Sequence, residues 1–196
     1  MKKLYIVRHG KSEGSANGHV SFPHTPITDK GEKDALRLGK RLANEKTKID
    51  AIFYSPLVRS TQTLEAIKRG GFDVTQIYIK PNVLLQEINR KEFEGKPREI
   101  YYAKKEASGL PPADYRCEGG ESENDVKNRA KKFLMSIKNN KFDSILIITH
   151  GHFIAQFMSL LGFSNLSRQH GTSLSLLKID NNKAKIIFWN NISHLS

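Results

Sequence analysis

The sequence predicts an α/β domain in which a mostly parallel sheet lies between two layers of helices. Three short apolar runs, at residues 4–7, 50–54 and 144–149, carry this prediction. Each run is too short for a typical helix, contains β-branched or aromatic residues and stops abruptly at polar residues, as strands buried on both faces do. Segments with helical periodicity alternate with these runs. Such alternation is typical of a three-layer α/β/α sandwich around a parallel sheet.

Two helices are expected after the first two strands. Thr28 is a good N-cap for a helix that runs to about Asn44, because its hydroxyl can accept a hydrogen bond from the first turn. Ser55 and Pro56 then resemble the N-cap and first position of a second helix. We expect that helix to stop at Gly70-Gly71, since glycine readily ends helices.

The second half of the chain contains one segment without clear periodicity, residues 88–120, which includes Pro97, Pro111 and Pro112. We expect this segment to form an irregular lid or insertion within a single domain spanning residues 1–196. The other expected elements are a weak strand at 76–79, a helix that Ser122 and Asp125 open as a capping box, a helix at 153–161, and a hairpin of strands at 174–179 and 184–189 joined through Asn181-Asn182.

Composition limits the classes of protein to consider. A chain of 196 residues fits one domain with a substantial core. No apolar stretch reaches membrane-spanning length, and the four apolar residues after Lys2-Lys3 are too few for a signal peptide. The single Cys117 cannot form an internal disulfide, which suits a reducing compartment. We therefore expect a cytoplasmic protein without a membrane partner.

The formal net charge of +12 favours anionic partners. The sequence does not favour nucleic acid as a partner, because it has no basic helix interleaved with aromatic residues. A solvated, lysine-rich surface would give the same charge. The sequence contains no indication of the oligomeric state.

Basic and polar residues follow all three predicted buried strands. Arg8 and His9 end the first strand, Arg59 lies one helical turn beyond the second, and His150 ends the third. If these strands are parallel, their carboxyl ends lie at one edge of the sheet, where ligands of open α/β sheets bind. An arginine in the first turn of a helix opposes the helix dipole unless an anion binds there.

Two histidines and two arginines at one site suggest an anion rather than a metal. His150-Gly151-His152 resembles a pair of metal ligands, but the guanidinium groups of Arg8 and Arg59 would repel a cation. A phosphate monoester suits both arginines, which can bind its oxygens bidentately. Nearby cations depress the pKa of His9 and keep its imidazole neutral. His9 can then attack phosphorus and form a phosphohistidine, with His150 and the arginines stabilising the charge of the transferred group.

The departing oxygen of such a reaction needs a proton, so a carboxylic acid is expected near the pocket. Glu87, Glu92 and Glu94 are all suitable by their position in the chain. Spacing alone does not separate these three residues.

Several motifs together resemble the histidine phosphatase superfamily, also called phosphoglycerate mutase-like. They are Arg8-His9-Gly10 with Ser12, the run from Ser55 to Thr63, Leu85-Gln86-Glu87 ahead of Phe93-Glu94-Gly95, Gly120-Glu121-Ser122, Thr149-His150-Gly151 and Ser193-His194-Leu195. The resemblance covers nearly the whole chain. It implies that His9 is the phosphorylated nucleophile, that Arg59 and His150 belong to the phosphate pocket, and that Glu87 is the proton donor.

The sequence departs from the family pattern at two places. Ser15 stands where the family often has asparagine, and Asn17 lies two residues later, so either side chain is a candidate phosphate ligand. Gly151 is a further candidate for substrate binding. Lys91 stands where the family usually has glycine.

The segment between Glu87 and Ser122 is much shorter than in the bisphosphoglycerate-dependent mutases, which favours the phosphatase branch. Its basic residues either meet a second anionic group of the substrate or form a solvated basic loop. These residues are Lys91, Lys96, Arg98, Lys104, Lys105 and Arg116.

The sequence therefore predicts a metal-independent phosphomonoesterase that acts through phosphohistidine on a small phosphorylated metabolite and needs no cofactor. Three alternatives stay open. They are a phosphoglycerate mutase, a phosphoprotein phosphatase and a non-catalytic phosphate-binding module of the same fold. The identity of the substrate is not encoded in these motifs, because specificity resides in surface segments.

Overall fold

A computed structural model describes residues 1–180 and 183–196. In chain order the elements are β1 (Lys2–Arg8), α1 (Glu13–Ala16), α2 (Asp29–Asn44), β2 (Ala51–Tyr54), α3 (Val58–Arg69), β3 (Tyr78–Pro81), α4 (Arg98–Ala107), α5 (Glu123–Lys138), β4 (Ser144–Thr149), α6 (Gly151–Leu160), β5 (Leu174–Asp180) and β6 (Lys183–Asn191). Short 3₁₀ turns occupy Val83–Leu85, Lys91–Phe93 and Ser193–Leu195.

Within the described residues, six strands form one sheet in the order β3-β2-β4-β1-β5-β6. The neighbours from β3 to β1 are parallel, whereas β5 and β6 are antiparallel to their neighbours. The prediction of a mostly parallel sheet is thus confirmed. The antiparallel edge is the expected hairpin, and its Asn181-Asn182 connection lies outside the described residues.

Helices cover both faces of the sheet because side chains alternate along each strand. On β4, Ile145 and Ile147 pack in a core with α5 and α6, whereas Leu146 and Ile148 pack in a second core with α2 and α3. All of β4 is buried. The three-layer α/β/α arrangement is confirmed.

The register of the central strands aligns their carboxyl ends. Arg8 of β1 lies beside Thr149 of β4, and Tyr54 of β2 lies beside Ile148. The hydrogen bonding between β1 and β4 continues one residue beyond β1, since the amide of His9 donates to the carbonyl oxygen of Thr149 at 2.9 Å. Residues that follow β1, β2 and β4 are therefore brought to one edge of the sheet.

Segment 88–120 is more regular than the sequence suggests, because it contains α4. Pro97 is the N-cap of this helix, and Tyr101 is its one buried residue. Tyr101 packs in a small separate core with Val20, Phe93, Tyr115 and Cys117. A helix with one buried position gives little hydrophobic periodicity, which explains why the sequence pattern did not predict it.

The start of α3 also differs from the prediction. The helix begins at Val58 with Leu57 as N-cap, not at Pro56 with Ser55 as N-cap. The Ser55 hydroxyl is 2.7 Å from Nε2 of His150, so a tertiary contact engages the side chain that the local pattern assigned to capping.

Other boundaries agree more closely. Thr28 caps α2, Gly70 follows the last residue of α3, and Ser122 with Asp125 forms a capping box at α5. Strand β3 lies two residues later than expected, and α6 begins two residues earlier, at Gly151. In the described part of the chain, no helix is both long enough and apolar enough to cross a membrane.

Candidate active site

His9 lies at the end of β1 and is 5% exposed. Its Nδ1 is 2.7 Å from the carbonyl oxygen of Gly10. A carbonyl only accepts, so Nδ1 carries the proton and Nε2 keeps its lone pair. Burial, followed by the positive charges of Arg59 and Arg8, lowers the pKa of His9 to about 3. The imidazole is therefore neutral at physiological pH, which is the form that a nucleophile requires.

Gly10 permits the tight packing that holds His9. A Cβ atom added at Gly10 would lie 2.8 Å from the carbonyl oxygen of Gly31, closer than real Cβ contacts. The Gly10 amide donates to the hydroxyl of Thr63 at 3.0 Å, and that hydroxyl donates to the carbonyl oxygen of Arg59 at 2.6 Å. The chain after His9 is thus tied to the helix that carries Arg59.

Arg59 lies in the first turn of α3 and is 3% exposed. Its Nη1 donates to the carbonyl oxygen of Phe22 at 3.1 Å, and no carboxylate of the described residues forms an ion pair with it. Burial lowers the pKa of Arg59, against the opposing effect of Glu87 and Glu94. A buried guanidinium without an ion-pair partner is a suitable ligand for an anion.

Arg8 approaches His9 from the end of β1. Its Nη1 donates to the carbonyl oxygen of Gln169 at 2.6 Å, and its buried Nε has no hydrogen-bond partner among the described atoms. Burial and the charge of Arg168 lower the pKa of Arg8 to about 10, so the group remains positively charged near neutral pH. Arg8 and Arg59 therefore place two cations beside one neutral imidazole.

His150 packs against His9, with 4.8 Å between ring centroids. It is fully buried, and its Nε2 is 2.7 Å from the Ser55 hydroxyl and 3.3 Å from the Ser60 hydroxyl. Its buried Nδ1 has no partner among the described atoms. Burial and the charge of Arg59 hold the pKa of His150 well below its usual value.

Glu87 follows the 3₁₀ turn Val83–Leu85, and its side chain is 23% exposed. Its Oε1 accepts hydrogen bonds from the amides of Ile88 at 3.0 Å and His152 at 3.1 Å. Burial raises the pKa of Glu87, but His152, His150 and Arg90 together outweigh it and hold the pKa well below the usual range. Without a bound anion, Glu87 is therefore a carboxylate.

Two further side chains support Glu87. Nδ1 of His152 is 3.4 Å from Oε1 of Glu87, and Nε2 of the same ring is 3.0 Å from Arg90. Arg90 is 7% exposed, and its guanidinium lies over the ring of Tyr101 at 4.2 Å from the ring centroid.

Except for His150, which packs against His9, the arginines, histidines and Glu87 described above line a cavity of about 190 Å³. Ser15 lines it, although its hydroxyl also donates to the carbonyl oxygen of Ser12 at 2.8 Å. Asn17 is not part of the cavity wall and instead ends α1 as its C-cap. Gly151, the first residue of α6, is also outside the cavity wall but lies beside Arg8, because a Cβ added there would be 3.8 Å from Nε of Arg8.

Sequence comparison places this site in a family. A profile of the histidine phosphatase superfamily (branch 1) matches residues 4–192, nearly the whole chain. The chain belongs to this superfamily.

Three similar proteins illustrate the range of the superfamily. A metal-independent phosphoserine phosphatase of Arabidopsis thaliana is 24% identical over 205 residues, which cover 99% of this chain and 83% of that protein. A 2,3-bisphosphoglycerate-dependent phosphoglycerate mutase of Rhizobium etli is 28% identical over 172 residues, which cover 79% and 77%. The solved structure of Bacillus stearothermophilus YhfR has a TM-score of 0.85 and 27% identity, with both chains covered completely.

The structure separates the three glutamates that spacing left open. Glu87 and Glu94 line the cavity, whereas Glu92 is not in its wall and forms an ion pair with Lys104 at 3.1 Å. Only Glu87 is held by the amide and the ring of His152, the residue two places beyond the pocket histidine.

Apart from Arg90, the basic residues of segment 88–120 divide into two groups. Lys104, Lys105 and Arg116 pair with carboxylates, and Lys96 lies over the ring of Phe93. Lys91 and Arg98 instead line the cavity. Their position fits the expected contact with a second anionic group, although Lys91 is also exposed to solvent.

Sequence reasoning missed Arg90 and Arg168, which also line the cavity, and gave no supporting role to His152. Arg90 lies just before the recognisable Phe93-Glu94-Gly95 motif, and that proximity could have indicated a position near the cavity. Arg168 lies in an irregular segment after α6, where no motif marks it.

Proposed function

We propose that this protein is a phosphomonoesterase that acts through a phosphohistidine intermediate on a small phosphorylated metabolite, without a metal. One observation carries the proposal. The neutral His9 imidazole has its proton on Nδ1 and lies beside the buried guanidinium groups of Arg8 and Arg59. Such a site attracts a phosphate group and presents a nucleophile to it, whereas the two guanidiniums repel a metal cation.

In the first step, Nε2 of His9 attacks phosphorus, the N–P bond forms and the bond from phosphorus to the ester oxygen breaks. Arg8 and Arg59 bind the non-bridging oxygens and stabilise charge on the transferred group. We assign Ser15 and the amide of Gly151 to the same phosphate, because Ser15 lines the cavity and Gly151 begins α6 beside Arg8. Asn17, outside the cavity wall, has no part in this proposal.

His150 supports the same step from the buried side of His9. When the Ser55 hydroxyl donates to Nε2, Nδ1 of His150 carries a proton that has no protein acceptor in the described residues. A phosphate oxygen can accept a hydrogen bond from this Nδ1–H group. In this tautomer, Nδ1 of His150 donates to the transferred phosphoryl group and stabilises its charge.

Glu87 is proposed to move the proton. A monoanionic phosphate ester brings one proton into the site. Its negative charge offsets the effect of the histidines and Arg90 that lower the pKa of Glu87, so Glu87 can accept this proton. The proton then passes from the ester to Glu87 and from Glu87 to the leaving oxygen. In the second step, the Glu87 carboxylate takes a proton from water, which attacks phosphorus, breaks the N–P bond and restores neutral His9.

The relatives support the reaction class. A phosphoserine phosphatase and a phosphoglycerate mutase are both among the similar proteins. Both names describe chemistry on a phosphate ester, but they differ in the group that receives the phosphoryl. In our proposal, water receives it.

The deciding experiment measures phosphate release from p-nitrophenyl phosphate in the presence of EDTA, with the His9→Ala variant as the blank. We expect turnover by the native protein and a loss of about 1,000-fold or more in the variant, since the nucleophile is removed. His24→Ala is the matched control, because His24 is exposed and does not line the cavity. Full activity of His9→Ala would contradict the proposal.

A second assay separates a phosphatase from a mutase. The protein is incubated with 3-phosphoglycerate, and both free phosphate and 2-phosphoglycerate are measured. Phosphate release without isomerisation supports the phosphatase, whereas isomerisation without phosphate release would show a mutase.

A further inference from the structure

The cavity contains more positive charge than one phosphate requires. Six basic side chains line it, against the two carboxylates of Glu87 and Glu94. The six are Arg8, Arg59, Arg90, Lys91, Arg98 and Arg168. The proposed phosphate site uses Arg8 and Arg59, and Arg90 is engaged with His152. Lys91, Arg98 and Arg168 are left without a role in the phosphoryl transfer.

Arg98 and Arg168 also lack the partners that other basic residues have. Nε of Arg98 donates to the carbonyl oxygen of His19 at 3.1 Å, but across residues 1–180 and 183–196 neither Arg98 nor Arg168 forms an ion pair with a carboxylate. By contrast, Lys105 and Arg129 pair with glutamates at 2.7 and 2.9 Å. Arg168 also lowers the pKa of both Arg8 and Arg98, which reflects their mutual repulsion.

Both side chains are carried by segments that are tied to the fold. The amide of Arg98 donates to the carbonyl oxygen of Gly18 at 3.0 Å, so the start of α4 is joined to the loop after α1. Next to Arg168, Gln169 accepts a hydrogen bond from Arg8 through its carbonyl and donates to the Ser175 hydroxyl at 2.6 Å. The two guanidiniums are thus carried by anchored backbone and line the same cavity as Arg8.

Arg8, Arg98 and Arg168 also border a second cavity, of about 540 Å³, beside the first. The boundary between the two cavities is therefore cationic and lies next to the proposed phosphate. A second anionic group of a bound substrate would relieve the repulsion among these guanidiniums.

We propose that Arg98 and Arg168 bind a carboxylate of the substrate, so that the natural substrate is a compact phosphorylated carboxylic acid. This inference rests on the proposed phosphatase function. The planar fork of a guanidinium matches a carboxylate in bidentate geometry. Arg98 and Arg168 line the same cavity as Arg8 and Arg59, which favours a short distance between phosphate and carboxylate.

The test compares substrates that differ only in the carboxylate. O-phosphoserine is paired with O-phosphoethanolamine, and 3-phosphoglycerate is paired with glycerol 3-phosphate. We expect kcat/KM to be about 10- to 100-fold higher for the carboxylate member of each pair, because charge-assisted hydrogen bonds to the carboxylate have effects of about this size. Fructose 1,6-bisphosphate is a further test substrate, because its second anionic group is a phosphate instead of a carboxylate.

Variants locate the effect. Arg168→Gln should lower the phosphoserine to phosphoethanolamine ratio of kcat/KM by about tenfold, since one bidentate contact is removed. Arg98→Gln should do the same, and Arg98→Lys should retain part of the ratio because it keeps the charge. Lys33→Gln, an equal loss of charge at an exposed site on α2, should leave the ratio unchanged. General damage to the fold lowers both rates and leaves the ratio as it was.

The outcomes separate the two proposals. Hydrolysis of p-nitrophenyl phosphate and phosphoethanolamine with no preference for the carboxylate member would overturn the subsite and leave the phosphatase intact. A preference that survives both arginine substitutions, or a bisphosphate that outperforms both carboxylates, would also overturn it. Failure to hydrolyse every ester would instead refute the phosphatase function.

Discussion

Arg90 donates a hydrogen bond to Nε2 of His152 at 3.0 Å. Because a guanidinium only donates, Nε2 of His152 is the acceptor and its proton resides on Nδ1. Nδ1 in turn lies 3.4 Å from Oε1 of Glu87. Arg90 and His152 are 62 positions apart in the chain. The hydrogen bond from Arg90 nevertheless fixes the tautomer of His152 whose Nδ1–H faces Glu87, the proposed proton donor.

We expect His152 to act as a positioning residue for Glu87. His152→Ala removes the ring that lowers the pKa of Glu87, so that pKa should rise, because burial then acts with less opposition. The acid limb of the kcat profile, which requires the Glu87 carboxylate as base in the second step, should move to higher pH. The measurement is the pH dependence of kcat for p-nitrophenyl phosphate. An unchanged profile, even with lower activity, would show that His152 has only a structural part.

The substitution Glu87→Gln tests the proton donor itself. An alkyl phosphate needs full protonation of its leaving oxygen, so we expect kcat to fall by about 100- to 10,000-fold with such a substrate. p-Nitrophenol leaves more readily, so the fall in the first step should be smaller with p-nitrophenyl phosphate. Glu92→Gln is the control, because Glu92 lies outside the cavity wall. Equal losses with both substrates in a single-turnover assay of the first step would contradict the assignment.

The core of the site was predictable because its signals are local. Arg8-His9, Arg59 and His150 each follow an apolar run, and a parallel register aligns the ends of those runs. The parallel register itself follows from strands that are hydrophobic on both faces. Family resemblance then separated Glu87 from its neighbouring glutamates, which spacing did not.

The contacts of the supporting residues were not predictable, because they depend on packing between distant segments. Ser55 has a local pattern for a helix cap, but in the fold its hydroxyl meets His150, 95 positions away. Arg90 looks like a loop residue, yet it is buried between His152 and Tyr101. Arg168 has no local pattern at all, and only the tertiary fold brings it beside Arg8.

Burial of His9 should make stability depend on pH. The pKa of His9 is about 3 in the folded protein and about 6.5 in an unfolded chain. The unfolded state therefore binds more protons between these values, and folding becomes less favourable as the pH falls from 6.5 towards 3. We expect the native protein to lose about 2 kcal/mol more stability than His9→Asn between pH 7 and pH 5. Urea unfolding at both pH values measures the difference, and equal losses would show that His9 is not held neutral.

Lys91 offers a test of strain at the site. Its φ is 30°, in the left-handed region that favours glycine, and its side chain lines the cavity. Lys91→Gly should raise the free energy of unfolding by about 1 kcal/mol, because glycine adopts positive φ without strain. Lys46, at a φ of 48° beyond the end of α2, is the matched control for the backbone effect.

The two lysine variants should differ in activity. Both should be stabilised in urea unfolding, but only Lys91→Gly removes a charge from the cavity wall. We therefore expect KM for a phosphate ester to rise severalfold in Lys91→Gly and to be unchanged in Lys46→Gly, since a nearby cation attracts the anionic substrate. Raising the salt concentration should narrow the difference in KM, because ions screen exposed charges. A Lys91→Gly protein that gains stability with an unaltered KM would show that the charge of Lys91 does not contribute to substrate binding.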